Sequence, residues 1–308
     1  MKIAAIQASP VFLDPRATTE KAISLLHEAA RNGAKVAAFP EVFISGYPIW
    51  LRPLYTRLTH AQQQAAHAAY VAAGISAEGP ELREVATSCA KLGIFAFVGF
   101  IERSLSGAVY CAIAAISPDR GIVGIHRKLK PTATERLVWA DGDAHALKVH
   151  EWQGLRMGAL NCFENWQPLA RQTLYAQGEQ LHVMCWPGRK DHAVDVARFV
   201  AMEGRVHVLS VGAVMHNRDI PSHFPLANEP GLEEGLQVAT GGAMIVRAGG
   251  SVVAGPIADE ETILYGEIDP AEAVRERDRL DPAGHYLRPD LFALRVRDTR
   301  LTPVQFEN

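Results

Sequence analysis

Apolar runs alternate along the chain with amphipathic stretches, and this alternation predicts strands and helices in turn. The run KIAAIQA at residues 2–8 predicts a first strand, and alanine and leucine then recur at helical spacing over residues 18–32. The run AKVAAFP after Gly33 predicts the next strand. A second unit of this kind has a helix at residues 81–92, ended by Gly93, and a strand in IFAFVGFIE.

Paired apolar runs with short links predict hairpins. AVYCAIAAISP and GIVGIHRKL are separated by residues 119–121, and GGAMIVRAGGSVVAGP has two glycines at its turn. Between these hairpins, LRMGALN and LHVMCWP flank a predicted helix at residues 168–175. A further helix at residues 191–205 precedes VHVLSVGAV. Since parallel β-α-β units occur together with hairpins, the pattern predicts an α/β protein with mixed sheets.

No internal repeat or low-complexity linker divides the chain, so residues 1–308 are predicted to form a single domain. Two segments depart from the alternation. Residues 49–77 are rich in alanine and glutamine and favour helix, and residues 217–237 are rich in proline. Long excursions of this kind often serve as lids, binding loops or contact surfaces.

Composition narrows the class of protein. With 48% hydrophobic residues, 21% charged residues and a net charge of −3, the chain has an ordinary globular composition that does not favour nucleic acid as a partner. MKIAAIQASPVF lacks the layout of a secretory signal, and no apolar run approaches the length of a membrane span. The four cysteines are scattered without a CxxC pair, which argues against a disulfide framework and a zinc site. A cytoplasmic protein is therefore expected.

The stretch GALNCFENWQPLAR at residues 158–171 places one cysteine between a predicted strand and a predicted helix. A free thiol has a pKa of about 8.5 and needs activation at neutral pH. A helix N-terminus carries partial positive charge and free N–H groups, which lower a thiol pKa and can bind an oxyanion. Cys162 is therefore a candidate nucleophile, and the alternative is a small buried apolar side chain.

Two charged side chains directly follow other predicted strands. Glu41 comes after AKVAAFP, where a partly desolvated carboxylate can act as a general base. Lys128 follows GIVGIHR, where an ammonium can stabilise negative charge that develops on a substrate. Each has an ordinary alternative. Glu41 is then a loop glutamate, and Lys128 belongs to a solvated basic patch with His126, Arg127 and Lys130.

The combination of these stretches carries more information than any one of them. PE at 40–41, RKLKPT at 127–132 and NCFENWQPL at 161–169 occur in this order with wide separations. Together they resemble the Glu-Lys-Cys motifs of the nitrilase, or carbon–nitrogen hydrolase, superfamily, and the resemblance covers nearly the whole chain. The cysteine motif, FISGYPIW, ERLVWADGD and GHYLRPDLF resemble the nitrilase branch in particular. Phe163 departs from the more familiar Trp or Gly, which concerns the shape of the pocket rather than its chemistry.

The resemblance implies a fold, a site and a role for each site residue. The fold is a four-layer αββα sandwich with two mixed β-sheets, and the site needs neither cofactor nor metal. Cys162 is the nucleophile, Glu41 the general base and Lys128 the electrostatic stabiliser. Glu135 matches a second glutamate that positions the lysine and the substrate. Glu164, in the first turn after the cysteine, is expected to be structural.

Within the nitrilase branch, the expected substrates are an organic nitrile and water. Cys162 attacks the nitrile carbon, and a thioimidate and then a thioester lead to a carboxylic acid and ammonia. Aromatic residues near the motifs predict an apolar pocket and favour aryl or arylaliphatic nitriles. The candidate substrate-binding residues are Tyr47, Trp139, Phe163, Trp166 and Trp186, and packing in the core is the alternative for each.

Other functions stay open at this point. An amidase or N-carbamoyl hydrolase of the same superfamily would use the same residues on an sp² carbon. A protein of another class would keep the fold for binding or assembly without catalysis. A papain-like enzyme is disfavoured because no histidine has the required local signature. By analogy with nitrilases, a homo-oligomer of two or more copies is expected, with contacts from residues 49–77, 217–237 and the tail at 284–308.

Overall fold

The computed structural model describes residues 1–51, 55–188, 190–230, 232, 237–301 and 304, with side chains for all of these except residues 55, 190–193, 237 and 238. Parts of the three expected contact segments, at residues 52–54, 231, 233–236, 302–303 and 305–308, lie outside the described residues. The strands are β1 Lys2–Gln7, β2 Val36–Ala38, β3 Phe95–Arg103, β4 Val109–Ser117, β5 Gly121–Arg127, β6 His150–Trp152, β7 Leu155–Asn161, β8 Leu181–Trp186, β9 His207–Gly212, β10 Val214–His216, β11 Gln237–Val246, β12 Val252–Ala258 and β13 Thr262–Glu267.

The helices begin and end at residues with a clear physical reason to do so. Asp14 caps the first helix by accepting from the backbone N–H of Ala17, and Pro15 follows at the first helical position. Gly93 ends the third helix in the left-handed conformation, with a φ of 61°. Among the described helices, none is long and apolar enough to cross a membrane. Their bounds are α1 Pro15–Arg31, α2 His60–Ala72, α3 Pro80–Leu92, α4 Pro168–Tyr175, α5 Lys190–Gly204 and α6 Pro270–Arg275.

The strands form two mixed sheets. In the first sheet the spatial order is β13-β1-β2-β3-β4-β5, with β2 parallel to both β1 and β3 and the other pairs antiparallel. In the second sheet the order is β10-β11-β9-β8-β7-β6, and β12 pairs with β11. There, β7, β8 and β9 are parallel to one another. This mixture confirms the predicted combination of parallel units and hairpins.

The two sheets pack face to face between layers of helices. On β1, Ile3 and Ala5 point into the core between the sheets, whereas Ala4 and Ile6 point outward against α1 and α3. On the far side of the second sheet, α5 packs over Met184 of β8. Because strands in this arrangement are buried on both faces, they are continuously apolar rather than alternating. The αββα sandwich is thereby confirmed.

The differences from the predicted elements are the short helix α6, which the pattern does not predict, and several short or half-exposed strands. The run VHVLSVGAV forms two strands, β9 and β10, because the ladder is interrupted at Ala213. The pattern does not predict the strands β6 and β13. β6 has only three residues. Most of β13 is only partly buried, and because such a strand can carry polar side chains, its sequence is not a continuous apolar run. Each departs from the apolar run that identifies a strand buried on both faces.

Three strands end at the same edge of the sandwich. Glu41 follows β2 by a short turn, Lys128 follows β5 directly, and Cys162 follows β7 directly. The first two belong to one sheet and the third to the other. A hydrogen bond from Glu41 N to Trp186 O, at 3.2 Å, joins the two sheets at this edge. The fold therefore brings together residues that lie 87 positions or more from Glu41 in the sequence.

Candidate active site

The four residues expected to catalyse lie together and are buried. The ammonium Nζ of Lys128 lies 2.6 Å from Oε1 of Glu41 and 2.8 Å from Oε2 of Glu135. A carboxylate oxygen of each glutamate and Sγ of Cys162 lie within 4.8 Å of one another. Lys128 is 1% exposed, which excludes the solvated basic patch for this residue. A buried ammonium is stable here because two carboxylates compensate its charge.

The backbone is strained beside these side chains. Cys162 itself has a φ of 46°, and Val42, directly after Glu41, has a φ of 45°. Ala133, two residues before Glu135, has a φ of 47°. The left-handed region costs a non-glycine residue about 1–3 kcal/mol, and a β-branched residue such as valine is especially rare there. Strain of this kind is typical of sites where the surrounding structure fixes a side chain for chemistry.

Glu164 joins the two loops that carry Cys162 and Lys128. Its carboxylate accepts from the backbone N–H of Asn161 at 2.8 Å and from that of Leu129 at 2.6 Å. Nε2 of His126 lies 3.1 Å away. Burial alone would raise the pKa of Glu164, but His126 and the two backbone donors lower it, so the group is ionised. The expected structural role is thus a bridge between two sheets and not only a favourable first-turn charge.

A second buried hydrogen-bond network holds the backbone of the turn that begins at Cys162. Nδ2 of Asn165 donates to the backbone oxygen of Cys162 at 2.8 Å, and Oδ1 of Asn165 lies 2.9 Å from Nε2 of His182. Nδ1 of His182 lies 3.0 Å from the carboxylate of Glu179. Gly158 makes room for this network, since a Cβ at that position would lie 2.3 Å from Glu179 Oε1. His182 lies in no local motif. Its place in this hydrogen-bond network follows only from the pairing of β7 with β8, which brings it beside Asn165.

The electrostatics of the site differ from the sequence expectation for Cys162. Burial and the charge of Glu41 raise the pKa of the Cys162 thiol, and Lys128 and the backbone N–H of Phe163 only partly oppose them. The turn that begins at Cys162 is a short 3-10 helix, Cys162–Trp166, and it does not outweigh burial. The expectation of a thiol with a lowered pKa was therefore wrong. A neutral thiol needs a neighbouring base to accept its proton.

Glu41 has the properties of such a base. Burial raises the pKa of Glu41 to about 7, and the charge of Lys128 limits the rise. Burial alone would lower the pKa of Lys128, but Glu41 and the other acidic groups of the site raise it well above its ordinary value. The lysine therefore stays cationic while the carboxylate titrates near neutral pH, which is where a general base is most effective.

The predicted aromatic residues are placed differently from one another. The hydroxyl of Tyr47 donates to Glu135 Oε1 at 2.8 Å, and its ring meets the Trp139 ring edge to face at 5.6 Å. The Trp139 ring centre lies 5.2 Å from Lys128 Nζ. Trp186 is buried, and its indole N–H donates to a serine of β9. Trp166 is 52% exposed, and Phe163 packs against it at 6.4 Å.

Tyr47 and Trp139 thus contact the charged centre, whereas Trp166 lies at the surface. Contact of any of the five aromatic residues with substrate stays a prediction. A small cavity opens beside Glu41 and Tyr47, and its lining is mostly aliphatic. Pockets of this kind select apolar substituents. The lining includes Val42, Ile49, Pro187, Ala213 and Met215.

Glu41, Glu135 and Cys162 have the donor types and the spacing of a metal site. The ammonium of Lys128, however, lies within hydrogen-bond distance of both carboxylates. A divalent cation at this point would lie next to a fixed positive charge and would have to displace it from both carboxylates. The residues present therefore do not fit a metal.

Comparison with known proteins places the chain. A model of the carbon-nitrogen hydrolase family matches residues 2–277. The chain belongs to this family. It is 38% identical over 298 residues to an aliphatic nitrilase of Sinorhizobium fredii, covering 96% of this chain and 95% of the relative. An aliphatic nitrilase of Rhodococcus rhodochrous is 34% identical over 320 residues, covering 98% of this chain and 84% of the relative.

The fold of the family is also seen in solved structures. A carbon–nitrogen hydrolase superfamily protein of Xanthomonas campestris matches with a TM-score of 0.69 and 18% identity, over 91% of this chain and 94% of the other. At this identity the likeness concerns the fold alone. It agrees with the two mixed sheets and the outer helices described above. The chain is thus a hydrolase of the carbon–nitrogen hydrolase family with the family's sandwich architecture.

Proposed function

We propose that this hydrolase converts an organic nitrile into a carboxylic acid and ammonia, with Cys162 as nucleophile. The observation that carries the proposal is the Lys128 ammonium, held between two buried carboxylates beside the thiol. The nitrilases of S. fredii and R. rhodochrous support a nitrile substrate, because their similarity at 38% and 34% identity extends over most of both chains. A binding protein without catalysis would not need this buried charge arrangement.

The first step joins the thiol to the nitrile carbon. Glu41 accepts the proton of Cys162, and the sulfur attacks the electrophilic carbon while the C≡N bond loses one of its π bonds. Lys128 and a backbone N–H beside Cys162 stabilise the negative charge that develops on nitrogen. Glu41 then returns the proton to that nitrogen, so the product of this step is a neutral thioimidate bound to Cys162.

Two waters complete the reaction. The first, deprotonated by Glu41, adds to the thioimidate carbon, and Glu41 returns the proton to nitrogen, which gives a neutral tetrahedral intermediate with a hydroxyl and an amino group. Glu41 then moves the hydroxyl proton to the amino nitrogen, the C–N bond breaks, ammonia leaves, and the C=O bond of a thioester forms. The second water hydrolyses the thioester, releases the carboxylic acid and restores the thiol. If the tetrahedral intermediate expels the thiolate instead, the product is the amide.

Matched nitrile and amide substrates test this proposal. We expect the wild-type protein to release ammonia and acid in equal amounts from nitriles, with acid and amide resolved by chromatography. The nitrile should be turned over faster than the amide of the same acid. Turnover confined to amides or to N-carbamoyl compounds would contradict the proposal and favour the alternative branch of the superfamily, which attacks an sp² carbon with the same residues.

The substituent on the nitrile is a finer question. The sequence favours aryl and arylaliphatic nitriles, and the Tyr47–Trp139 ring pair beside Lys128 supports this preference. The aliphatic lining of the small cavity beside Glu41 favours a small aliphatic group instead, as do the relatives named aliphatic nitrilases. The same assay decides between them when kcat/KM is compared for benzonitrile, phenylacetonitrile and butyronitrile.

We further propose that the chain forms homo-oligomers through its C-terminal tail. Over residues 284–301 the tail has no helix or strand, and most of its side chains are exposed. Arg300 anchors it through Asp143 at 3.1 Å and through the backbone oxygen of Ile125 at 2.7 Å. Several large apolar side chains of the tail are exposed, and such a patch is typical of an interaction surface. They include Tyr286, Leu291, Phe292, Leu294, Val296 and Leu301.

A substitution in this tail tests the proposal without removing the anchor. We expect Leu291→Glu with Phe292→Glu to reduce the particle mass by light scattering, because two charges would enter an apolar interface. The matched control is Arg288→Gln, which alters an exposed ion pair with Asp290. Truncation after Pro289 should act like the double variant. An unchanged mass in both would remove the tail from the interface.

A further inference from the structure

Cys111 is a second buried thiol at the site, and it contacts both charged partners of the proposed mechanism. It lies on β4 and is 1% exposed. Its thiol donates to Oε1 of Glu41 at 3.2 Å. Its backbone oxygen accepts from the backbone N–H of Lys128 at 2.8 Å. One residue therefore holds the side chain of the base and the main chain of the lysine.

The two oxygens of the Glu41 carboxylate are not equivalent. Oε1 accepts from Lys128 Nζ at 2.6 Å and also from the Cys111 thiol. Oε2 is buried and has no hydrogen-bond partner among the described residues. A buried carboxylate oxygen without a partner is costly, and such groups are retained where they are used in chemistry. The free oxygen is the one available to a proton from Cys162.

We propose that Cys111 is a positioning residue for the general base: its thiol proton holds Oε1 of Glu41 beside Lys128 and thereby presents Oε2 to Cys162. The inference rests on the proposed function, since it assigns the atom that accepts the proton in the first step. It is independent of the substrate's side chain. It also accounts for a thiol near the N-terminal end of β4, which is the end of that strand beside the site.

A thiol suits this position for two reasons. Burial and the charge of Glu41 raise the pKa of Cys111 well above its ordinary value, so it stays a protonated donor and does not compete with Cys162 as a nucleophile. It is also a weak donor, so it orients the carboxylate without removing much of its basicity. The other titratable groups that face or influence Glu41 are Lys128, Glu135, Cys162, Tyr70 and Cys185.

Three variants separate hydrogen bonding from packing. Cys111→Ser keeps a donor, Cys111→Val keeps the approximate shape without a donor, and Cys111→Ala removes both. In the wild type the Cys111 hydrogen bond lowers the pKa of Glu41. Its loss therefore raises that pKa, and the acid limb of the kcat/KM profile moves to higher pH. We expect this shift for the valine and alanine variants, with a fall in kcat of about tenfold and little change in KM.

The serine variant keeps a donor, so its acid limb should show no shift to higher pH, and it should keep most of kcat. An unshifted limb and full kcat in Cys111→Val, with its fold confirmed by thermal melting, would overturn the inference. A serine variant as impaired and as shifted as the valine variant would overturn it too, because packing alone would then explain the effect. For the wild type and all variants, kcat/KM is measured with the nitrile that the wild type turns over best.

A measurement without substrate keeps this inference distinct from the proposed function. Iodoacetamide alkylates a cysteine only as the thiolate, so the pH dependence of alkylation at Cys162, mapped by peptide mass, reports proton transfer to Glu41. We expect the same upward shift in the valine and alanine variants and none in the serine variant. If the wild type fails to hydrolyse nitriles but the alkylation profile shifts as expected, the function is wrong and the positioning role stands. Unshifted alkylation overturns the positioning role alone.

Discussion

Cys162→Ala is expected to lower nitrile turnover by about 10⁴-fold or more, to the limit of detection, while the protein remains folded. The variant removes the only protein atom that, in the proposed mechanism, forms a bond to the substrate carbon. Neither Glu41 nor Lys128 can replace it, because both are held by hydrogen bonds to each other. Ammonia release from the best nitrile, with acid resolved by chromatography, is the measurement.

The matched control for this prediction is Cys89→Ala. Cys89 is also buried but lies on α3, in the outer core of the first sheet and away from the site. We expect the control to retain most of its activity. Intact mass adds a second readout: the wild type should accumulate an acyl or imidoyl adduct on rapid quenching, and the Cys162 variant should not. Residual turnover within tenfold of wild type would exclude Cys162 as the nucleophile.

Lys128→Met is expected to damage both catalysis and stability. The ammonium compensates two buried carboxylates and, in the mechanism, stabilises charge on the nitrile nitrogen. Its loss should lower kcat by about 10³-fold. It should also lower the free energy of unfolding by about 3–5 kcal/mol, because Glu41 and Glu135 are left buried without a counter-charge. Ammonia release and denaturant unfolding measure the two effects.

The chain offers a control two residues away. Lys130 is about half exposed and pairs with Asp141 at 2.6 Å, so it is a surface ion pair of ordinary kind. Lys130→Met should change the free energy of unfolding by less than about 1 kcal/mol and leave kcat near that of the wild type. In Lys128→Met, residual activity should show an acid limb at higher pH, since Lys128 lowers the pKa of Glu41. Equal changes of kcat and of the free energy of unfolding in the two variants would contradict the proposed role of Lys128 in catalysis and in charge compensation.

The sequence predicted the layered fold well because strands buried on both faces are continuous apolar runs, as in β3, β4 and β8. It also predicted that the four central residues lie together, because each belongs to a stretch with family-like neighbours; their catalytic roles stay predictions. It failed where a residue of the site lies outside these family-like stretches. Cys111 is 70 positions from Glu41, and no local pattern relates them.

Burial was the other quantity that the sequence could not supply. The thiol of Cys162 follows a strand and opens a turn, so a lowered pKa was expected. Its pKa is raised because the turn is only one short 3-10 helix inside a closed core. Trp186 likewise lies close to the motif segments in sequence. Its ring, however, is buried in the core, and its indole N–H donates to the hydroxyl of Ser210. Proximity to a motif did not reveal which face of a strand a residue occupies.

Because the site is divided between two sheets, the core between the sheets both stabilises the fold and aligns the residues of the site. Glu41 and Lys128 follow strands of one sheet and Cys162 follows a strand of the other, and contacts at that edge, such as that of Glu164 with Leu129, fix their mutual offset. Sliding of the sheets by a fraction of an ångström would leave every strand intact and still misalign base and nucleophile. Side chains that interleave between the two sheets therefore keep the base and the nucleophile aligned. They include Phe97, Ile113, Leu209 and Ile245. Conservative swaps among them should therefore lower turnover by more than their small cost in stability explains, far from any atom that meets the substrate.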